Sequence, residues 1–325
     1  MVDSRKILVT GASGFIGKRL CKVIEERGGV VYRVTRDINA TNRIRIGEFD
    51  ENTNWTEVLR GFDCIVHLAA RVHVMNEHSQ HPLGEYMRVN VMATLNLARQ
   101  AASAGVRRLI FISTIKVNGE QTCPHQPFNE ADTPEPVGPY AISKWEAEKG
   151  LQRIGAETKL EIVIIRPPLV YGPGVRANFR SLMMLLDYNL PLPLGGINNK
   201  RSMIALDNLV DLIIICMNHP AAKNELFLAS DGEDLSLSEL LQRLGDALGK
   251  PAKMFSIPNW LFKYLLTLAG KKHIASRLFG TLQVDISKAS RLLSWVPPIS
   301  VNAGLKVVAN DFIEAKRRDG KNPFA

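Results

Sequence analysis

The chain has 325 residues, 46% of them hydrophobic and 22% charged, with a net charge of +9. Such proportions describe a globular chain and exclude a low-complexity or repeat protein. No apolar run reaches the length of a membrane span, and no nucleic-acid motif accompanies the positive charge, which suits either anionic ligands such as nucleotides or a solvated basic surface.

Met1 to Lys6 runs straight into a strand, so no signal peptide is expected. Cys21, Cys64, Cys123 and Cys216 are scattered, without metal-type spacing. They read as reduced thiols of a cytoplasmic protein, and no metal site is expected. Lys6–Thr10 is a short apolar run, expected to be a buried parallel strand. It feeds Gly11-Ala12-Ser13-Gly14-Phe15-Ile16-Gly17 and then an amphipathic helix to about Arg27. Strand, glycine turn and helix in this order suit a dinucleotide. The glycines let the backbone approach a pyrophosphate, and the helix N-terminus favours the anion.

Residues 30–34 read as the second strand. Its end selects the cofactor, because a carboxylate there binds a ribose hydroxyl and an arginine accommodates a 2′-phosphate. Thr35-Arg36 stands at that position, with Asp37 after it. Arg36 is therefore expected to bind a 2′-phosphate, which favours NADP(H) and leaves NAD(H) possible. A solvated Arg36 beside Asp37 is the bland alternative. The third strand is expected at 44–49. The fourth, at 64–70, ends in Leu68-Ala69-Ala70, small enough for a cofactor to lie across. Arg71 and His73 should face the cleft, His73 in a structural or substrate-contacting role. A helix bearing Asn90 follows, then a fifth strand at 106–113.

Residues 123–139 read as a loop leading into a helix from 141 to about 154. At its start stand Tyr140 and Lys144, four residues apart and so one turn apart on a helix face. An ammonium beside a phenol favours the phenolate and equips it to exchange a proton near neutral pH. Residues 160–165 are the sixth strand, closed by Arg166-Pro167. The strand–helix alternation predicts an α/β, doubly wound parallel sheet with a smaller C-terminal lobe. Gly11, Arg36, Ala69 and Thr114 all fall at strand ends, where ligands of such sheets sit. Beyond Val170 come loops around a short helix, a helix at 206–218, a short strand at 226–229, and helices at 237–248, 260–269 and 302–318. The 260–269 stretch is apolar nearly all round and reads as a buried helix or a membrane-surface contact.

Gly11/Gly14/Gly17, His67-Leu68-Ala69-Ala70, Asn90, Ser113-Thr114, Tyr140/Lys144, Arg166-Pro167 and the 201–209 segment together resemble an extended short-chain dehydrogenase/reductase of the NAD-dependent epimerase/dehydratase family, UDP-glucose 4-epimerase-like. The resemblance covers nearly the whole chain. It implies that Tyr140 is the acid/base, that Lys144 tunes it and holds the nicotinamide ribose, and that Thr114 bonds the reacting sugar oxygen. Asn90 and Pro167 fall with the cofactor. Asn178 and Arg201 match positions that hold a substrate diphosphate, Leu192 the loop near the base, and Arg277 a further phosphate contact in a shifted frame. The implied division is residues 1–166 with about 201–223 for NAD(P), and about 167–200 with 224–325 for a nucleotide sugar.

Val117-Asn118-Gly119 replaces the family's Val-Tyr-Gly, and Asn208 stands for an acidic residue. Thr114-Ile115-Lys116 lacks the carboxylates of a dehydratase. Lys116 is either a sugar contact or a solvated lysine. With Arg36, the 113–120 stretch most resembles bacterial enzymes that reduce UDP-4-keto-6-deoxy-N-acetylhexosamine at carbon 4 to UDP-N-acetylquinovosamine for O-antigen synthesis. A 4-epimerase of UDP-glucose or UDP-N-acetylglucosamine with bound NAD is the alternative, and a non-catalytic NADP(H) sensor a third. The resemblance also implies a possible homodimer through the helices beginning near Pro82 and Tyr140.

Overall fold

The apolar runs form the strands β1 (Lys6–Thr10), β2 (Val30–Thr35), β3 (Arg43–Arg45), β4 (Cys64–His67), β5 (Arg108–Ile112) and β6 (Glu161–Arg166). The computed structural model describes residues 5–35, 43–72, 82–123, 125–258, 260, 264, 267 and 278–320. A seventh strand, β9 (Leu226–Leu228), completes an all-parallel sheet of order β3-β2-β1-β4-β5-β6-β9. The order reverses between β1 and β4, which register as Ile7 with Cys64 through Thr10 with His67. A ligand crevice opens at such a switch point. β4 and β5 are buried along their whole length, as strands covered on both faces must be.

On one face lie α1 (Phe15–Glu26) and α6 (Leu206–Asn218), which bury Leu20, Ile24, Leu209 and Ile213 against Val9, Val66 and Ile110. The other face is covered by α3 (Ala93–Ser103) and α4 (Gly138–Glu157), with Leu97, Ala101, Ala147 and Leu151 against Leu8, Ile65 and Leu109. α2 (Pro82–Tyr86) and α3 are joined by a π turn, Met87–Met92, without leaving helical backbone angles. α4 starts at Gly138, earlier than expected. Pro139 fits there because first-turn N–H groups lack intrahelical partners.

A second core belongs to the lobe, where α5 (Ala177–Asp187), α7 (Leu237–Ala247) and α9 (Val301–Asp319) enclose Phe179, Met183, Leu241, Leu244 and Leu305. Ser236 and Glu239 form a reciprocal capping box on α7. Two short parallel strands, β7 (Leu169–Tyr171) and β8 (Met203–Ala205), connect the cores. Sequence patterning misses both strands and also α8 (Ser287–Leu293), because three- and seven-residue elements carry little periodicity. The expected third strand shrinks to Arg43–Arg45. The loop before α4 is pinned to the lobe by Thr122 N donating to Thr281 O and Phe128 N to Gln283 O, each at 2.8 Å. Of the 260–269 stretch, Trp260, Tyr264 and Thr267 are described. All three are exposed, so this face is not the buried one expected.

Candidate active site

The β1/β4 side of the crevice is made of backbone. Gly11 has φ +67°, and a Cβ there would lie 2.7 Å from Ala69 N and 2.8 Å from Leu68 C. A Cβ on Gly17 would come within 2.3 Å of Gly11 O. The turn closes through Gly14 N donating to Gly11 O at 2.9 Å. Ser13 and Gly14 are exposed, Phe15 and Ile16 half-buried. The α1 N-terminus carries neither a side-chain cap nor an acidic residue in its first turn. Backbone N–H groups there are thus open to an anion, and the cradle fits a dinucleotide pyrophosphate.

His67 locks the facing strand end. Its ring bonds Thr10 Oγ1 at 2.6 Å and Thr94 Oγ1 at 2.9 Å, and Thr10 Oγ1 accepts from Ala69 N at 3.3 Å. Burial pulls its pKa down to about 3, with Lys144 adding to the effect, so the ring is neutral. Leu68, Ala69 and Ala70 follow, half-buried.

Asn90 sits in the π turn, 1% exposed, a helix defect often found at functional sites. Its Oδ1 accepts from Arg71 N at 2.7 Å, and its Nδ2 donates to Arg71 O and Ser143 Oγ, each at 3.0 Å. Ser143 Oγ in turn donates to Tyr140 O at 2.8 Å. The Asn90 amide therefore ties the β4 loop to the first turn of α4.

The β5/β6 side is made of buried polar side chains. Tyr140, Lys144 and Glu148 form an i, i+4, i+8 stripe on α4. Lys144 is 2% exposed. Its Nζ donates to Ile112 O at 2.7 Å and lies 4.1 Å from the Phe111 ring centre. Burial pulls its pKa down to about 7, opposed by Glu148. Burial also pushes the Tyr140 phenol up to about 12, assisted by Tyr86. This corrects the sequence expectation: in the protein alone the pair does not place the phenol near neutrality.

Glu148 is fully buried and accepts from Arg166 Nε at 3.1 Å and Nη2 at 2.5 Å, and from Ser113 Oγ. Arg166 Nη1 donates to Asn118 Oδ1 at 2.8 Å. That bond gives Asn118 a place in the buried polar cluster. Glu148 was legible only as the next residue of the stripe. Thr114 is extended and half-buried at the β5 end, and its Oγ1 accepts from Lys116 N at 3.4 Å. Pro167 is buried and its carbonyl accepts from Ile115 N at 2.9 Å, so the strand ends of β5 and β6 are cross-linked beside Thr114.

On the substrate side, the Arg71 guanidinium lies 5.6 Å from the Tyr86 ring centre, and Tyr86 and Tyr140 meet edge-on at 6.4 Å. Arg201 Nη1 donates to Gly280 O at 3.0 Å. Leu192 is buried in the lobe core and pairs with Met254. Lys116 is half-buried. Arg36, His73, Arg277 and the Asn178 side chain lie outside the described residues. Asn208 Nδ2 bonds Asp231 Oδ1 at 2.7 Å, so a carboxylate still stands at that place, from another segment. Among the described residues no cluster suits a metal, and no helix is long and apolar enough to cross a membrane.

Residues 7–229 match the NAD dependent epimerase/dehydratase family. A UDP-glucose 4-epimerase of Vibrio cholerae is 43% identical over 97% of both chains. An N-acetyl-alpha-D-glucosaminyl-diphospho-ditrans,octacis-undecaprenol 4-epimerase of Escherichia coli O157:H7 is 27% identical over 96% of this chain and 97% of its own. Among solved structures, UDP-glucuronic acid 4-epimerase from Bacillus cereus in complex with NAD superposes with a TM-score of 0.76 at 23% identity. It covers 98% of this chain and all of that one, a likeness of fold.

Proposed function

The chain belongs to the NAD dependent epimerase/dehydratase family, and within it we propose that the protein is a UDP-hexose 4-epimerase working with retained NAD. The reading rests on the complete set of Thr114 after β5 and Tyr140 and Lys144 on α4, in a chain 43% identical to a UDP-glucose 4-epimerase over 97% of both. The weight thus moves from the 4-ketoreductase to the epimerase.

Bound NAD would supply a hydride acceptor for carbon 4 and a donor back to the opposite face of the 4-keto sugar. Gly11 to Gly17, Leu68 to Ala70 and Pro167 would hold it, with Asn90 fixing the walls. Tyr140 Oη takes the proton of the 4-hydroxyl as the carbonyl forms and restores it when the carbonyl is reduced. The Thr114 hydroxyl holds the same sugar oxygen. Lys144, charged, favours the phenolate. Its depressed pKa makes that charge sensitive to what fills the crevice. Arg201, Asn178 and Arg277 are assigned to the substrate diphosphate, Leu192 to the base side, and Arg71, His73 and Lys116 to the sugar.

A second reading, reduction of a UDP-4-keto-6-deoxy-N-acetylhexosamine, is favoured by Arg36 in place of a carboxylate after β2. NADP(H) would then be used, with Arg36 on its 2′-phosphate. Denaturing the purified protein and identifying the released nucleotide separates the two. Near-stoichiometric NAD supports the epimerase. A cofactor-free protein that consumes NADPH with the 4-keto sugar supports the reductase.

A further inference from the structure

The lobe carries an aromatic face unused by the reaction. Tyr188 (44% exposed), Leu190 (57%), Phe255 (48%), Trp260 (71%) and Tyr264 (57%) all present large apolar surface to solvent. Two of the segments that carry them are neighbours. Leu192 N donates to Lys253 O at 2.8 Å and Phe255 N to Leu192 O at 3.0 Å, which sets 188–192 beside 253–255. Trp260 and Tyr264 follow at helical i, i+4 spacing. Scattered exposed apolar residues are ordinary, but a grouped set marks an interaction site.

The rim of this face is cationic. Lys250 Nζ bonds Asp187 Oδ1 at 2.7 Å and Lys316 Nζ bonds Asp187 Oδ2 at 2.5 Å, which brings the last turn of α9, with Lys316, Arg317 and Arg318, to the same edge. Lys253, two residues before Phe255, is exposed as well. Asp187 is engaged by both lysines and Glu314 by Arg318, while Asp246, one turn before Lys250, is exposed.

We propose that this face docks the protein on an anionic phospholipid surface. Tryptophan and tyrosine rings, apolar with one polar edge, settle at the headgroup boundary, and basic residues around them add attraction to anionic lipid. A second copy of the chain fits less well, because a two-fold contact would set one cationic rim against the same rim. The net charge of +9 acts in the same sense. This inference stands independently of which sugar is turned over.

The test is co-sedimentation of the full chain, without substrate, with vesicles of phosphatidylglycerol and phosphatidylcholine or of phosphatidylcholine alone. The protein should pellet with the anionic vesicles and be released by high salt. The double variant Trp260→Ala/Tyr264→Ala should lower the bound fraction tenfold or more while leaving turnover of soluble UDP-sugar unchanged. Lys253→Glu, which changes an exposed side chain, should weaken binding several-fold and guards against a folding defect in the double variant. The proposal is overturned if the wild-type chain stays in the supernatant at low salt, or if neither variant changes its binding. It is likewise overturned if Trp260→Ala/Tyr264→Ala instead abolishes a concentration-dependent dimer or the capture of an acidic protein.

Discussion

The two sides of the strand-end crevice are built by opposite means. At β1 and β4 the walls are backbone: a glycine turn packed so closely against Leu68 and Ala69 that an added Cβ has no room. At β5 and β6 the walls are charged side chains, Lys144, Glu148 and Arg166, each no more than 2% exposed. The first side is limited by shape and carries no charge near neutral pH, since its one buried titratable ring, His67, is neutral there. The second tolerates changes of shape better than changes of charge, because each buried ion depends on its neighbours.

Substitutions separate these behaviours. Tyr140→Phe keeps the shape and removes the proton carrier, so kcat for sugar turnover should fall by about 10²–10⁴-fold, the range for general acid–base groups, with nucleotide binding retained. Glu148→Gln leaves Arg166 without its charge partner, and breaking such a buried pair costs about 3–5 kcal/mol. Denaturant unfolding should show that loss, and Glu148→Asp a smaller one. Gly17→Ala forces its methyl into Gly11 O and should cost about 1–3 kcal/mol as an overpacked site, together with weakened NAD binding by titration calorimetry. If Gly17→Ala binds NAD normally, the backbone cradle is not the cofactor site.

The smallest effect is a pH slope. Lys144 is lowered in the fold from 10.5 to about 7, so above about 7 the unfolded chain binds more protons than the folded one, and stability rises with pH. Below about 7 both states carry the proton and the slope vanishes. The rise should be clearest up to about pH 8.5, where exposed thiols begin to ionise. Cys21, Cys64 and Cys216, raised by burial, then favour the unfolded chain. Lys144→Met should flatten the rise, measured by urea midpoints at each pH. Above about pH 7 the β1/β4 side adds little, because His67 is neutral in the fold and mostly neutral in the unfolded chain, whereas between about 3 and 6.5 its lowered pKa makes stability rise with pH.

The same contrast explains what was legible in the sequence. Buried parallel strands write themselves as apolar runs, so β1, β4, β5 and β6 were placed to within a few residues, and Leu206–Asn218 was placed without error. Glycine spacing and the Tyr140–Lys144 interval are local and were read directly. Partners distant in the chain were not: the Ile112 carbonyl on Lys144, Arg166 on Glu148, and Asn90 on Arg71 and Ser143. Nor could a pattern of residue types show that burial raises the Tyr140 phenol, since that depends on what the tertiary fold excludes. The Trp260 face misled for a related reason: an apolar stretch does not say whether its partner is the protein's own core.

The most direct test of the central claim is to incubate the purified protein with UDP-glucose, and separately with UDP-N-acetylglucosamine, adding no nicotinamide nucleotide, and to follow the sugar by NMR. Appearance of the 4-epimer to a fixed equilibrium ratio, abolished by Tyr140→Phe, is the predicted result. No interconversion of either sugar, with NADPH oxidised only when a 4-keto-6-deoxy sugar nucleotide is supplied, would contradict it.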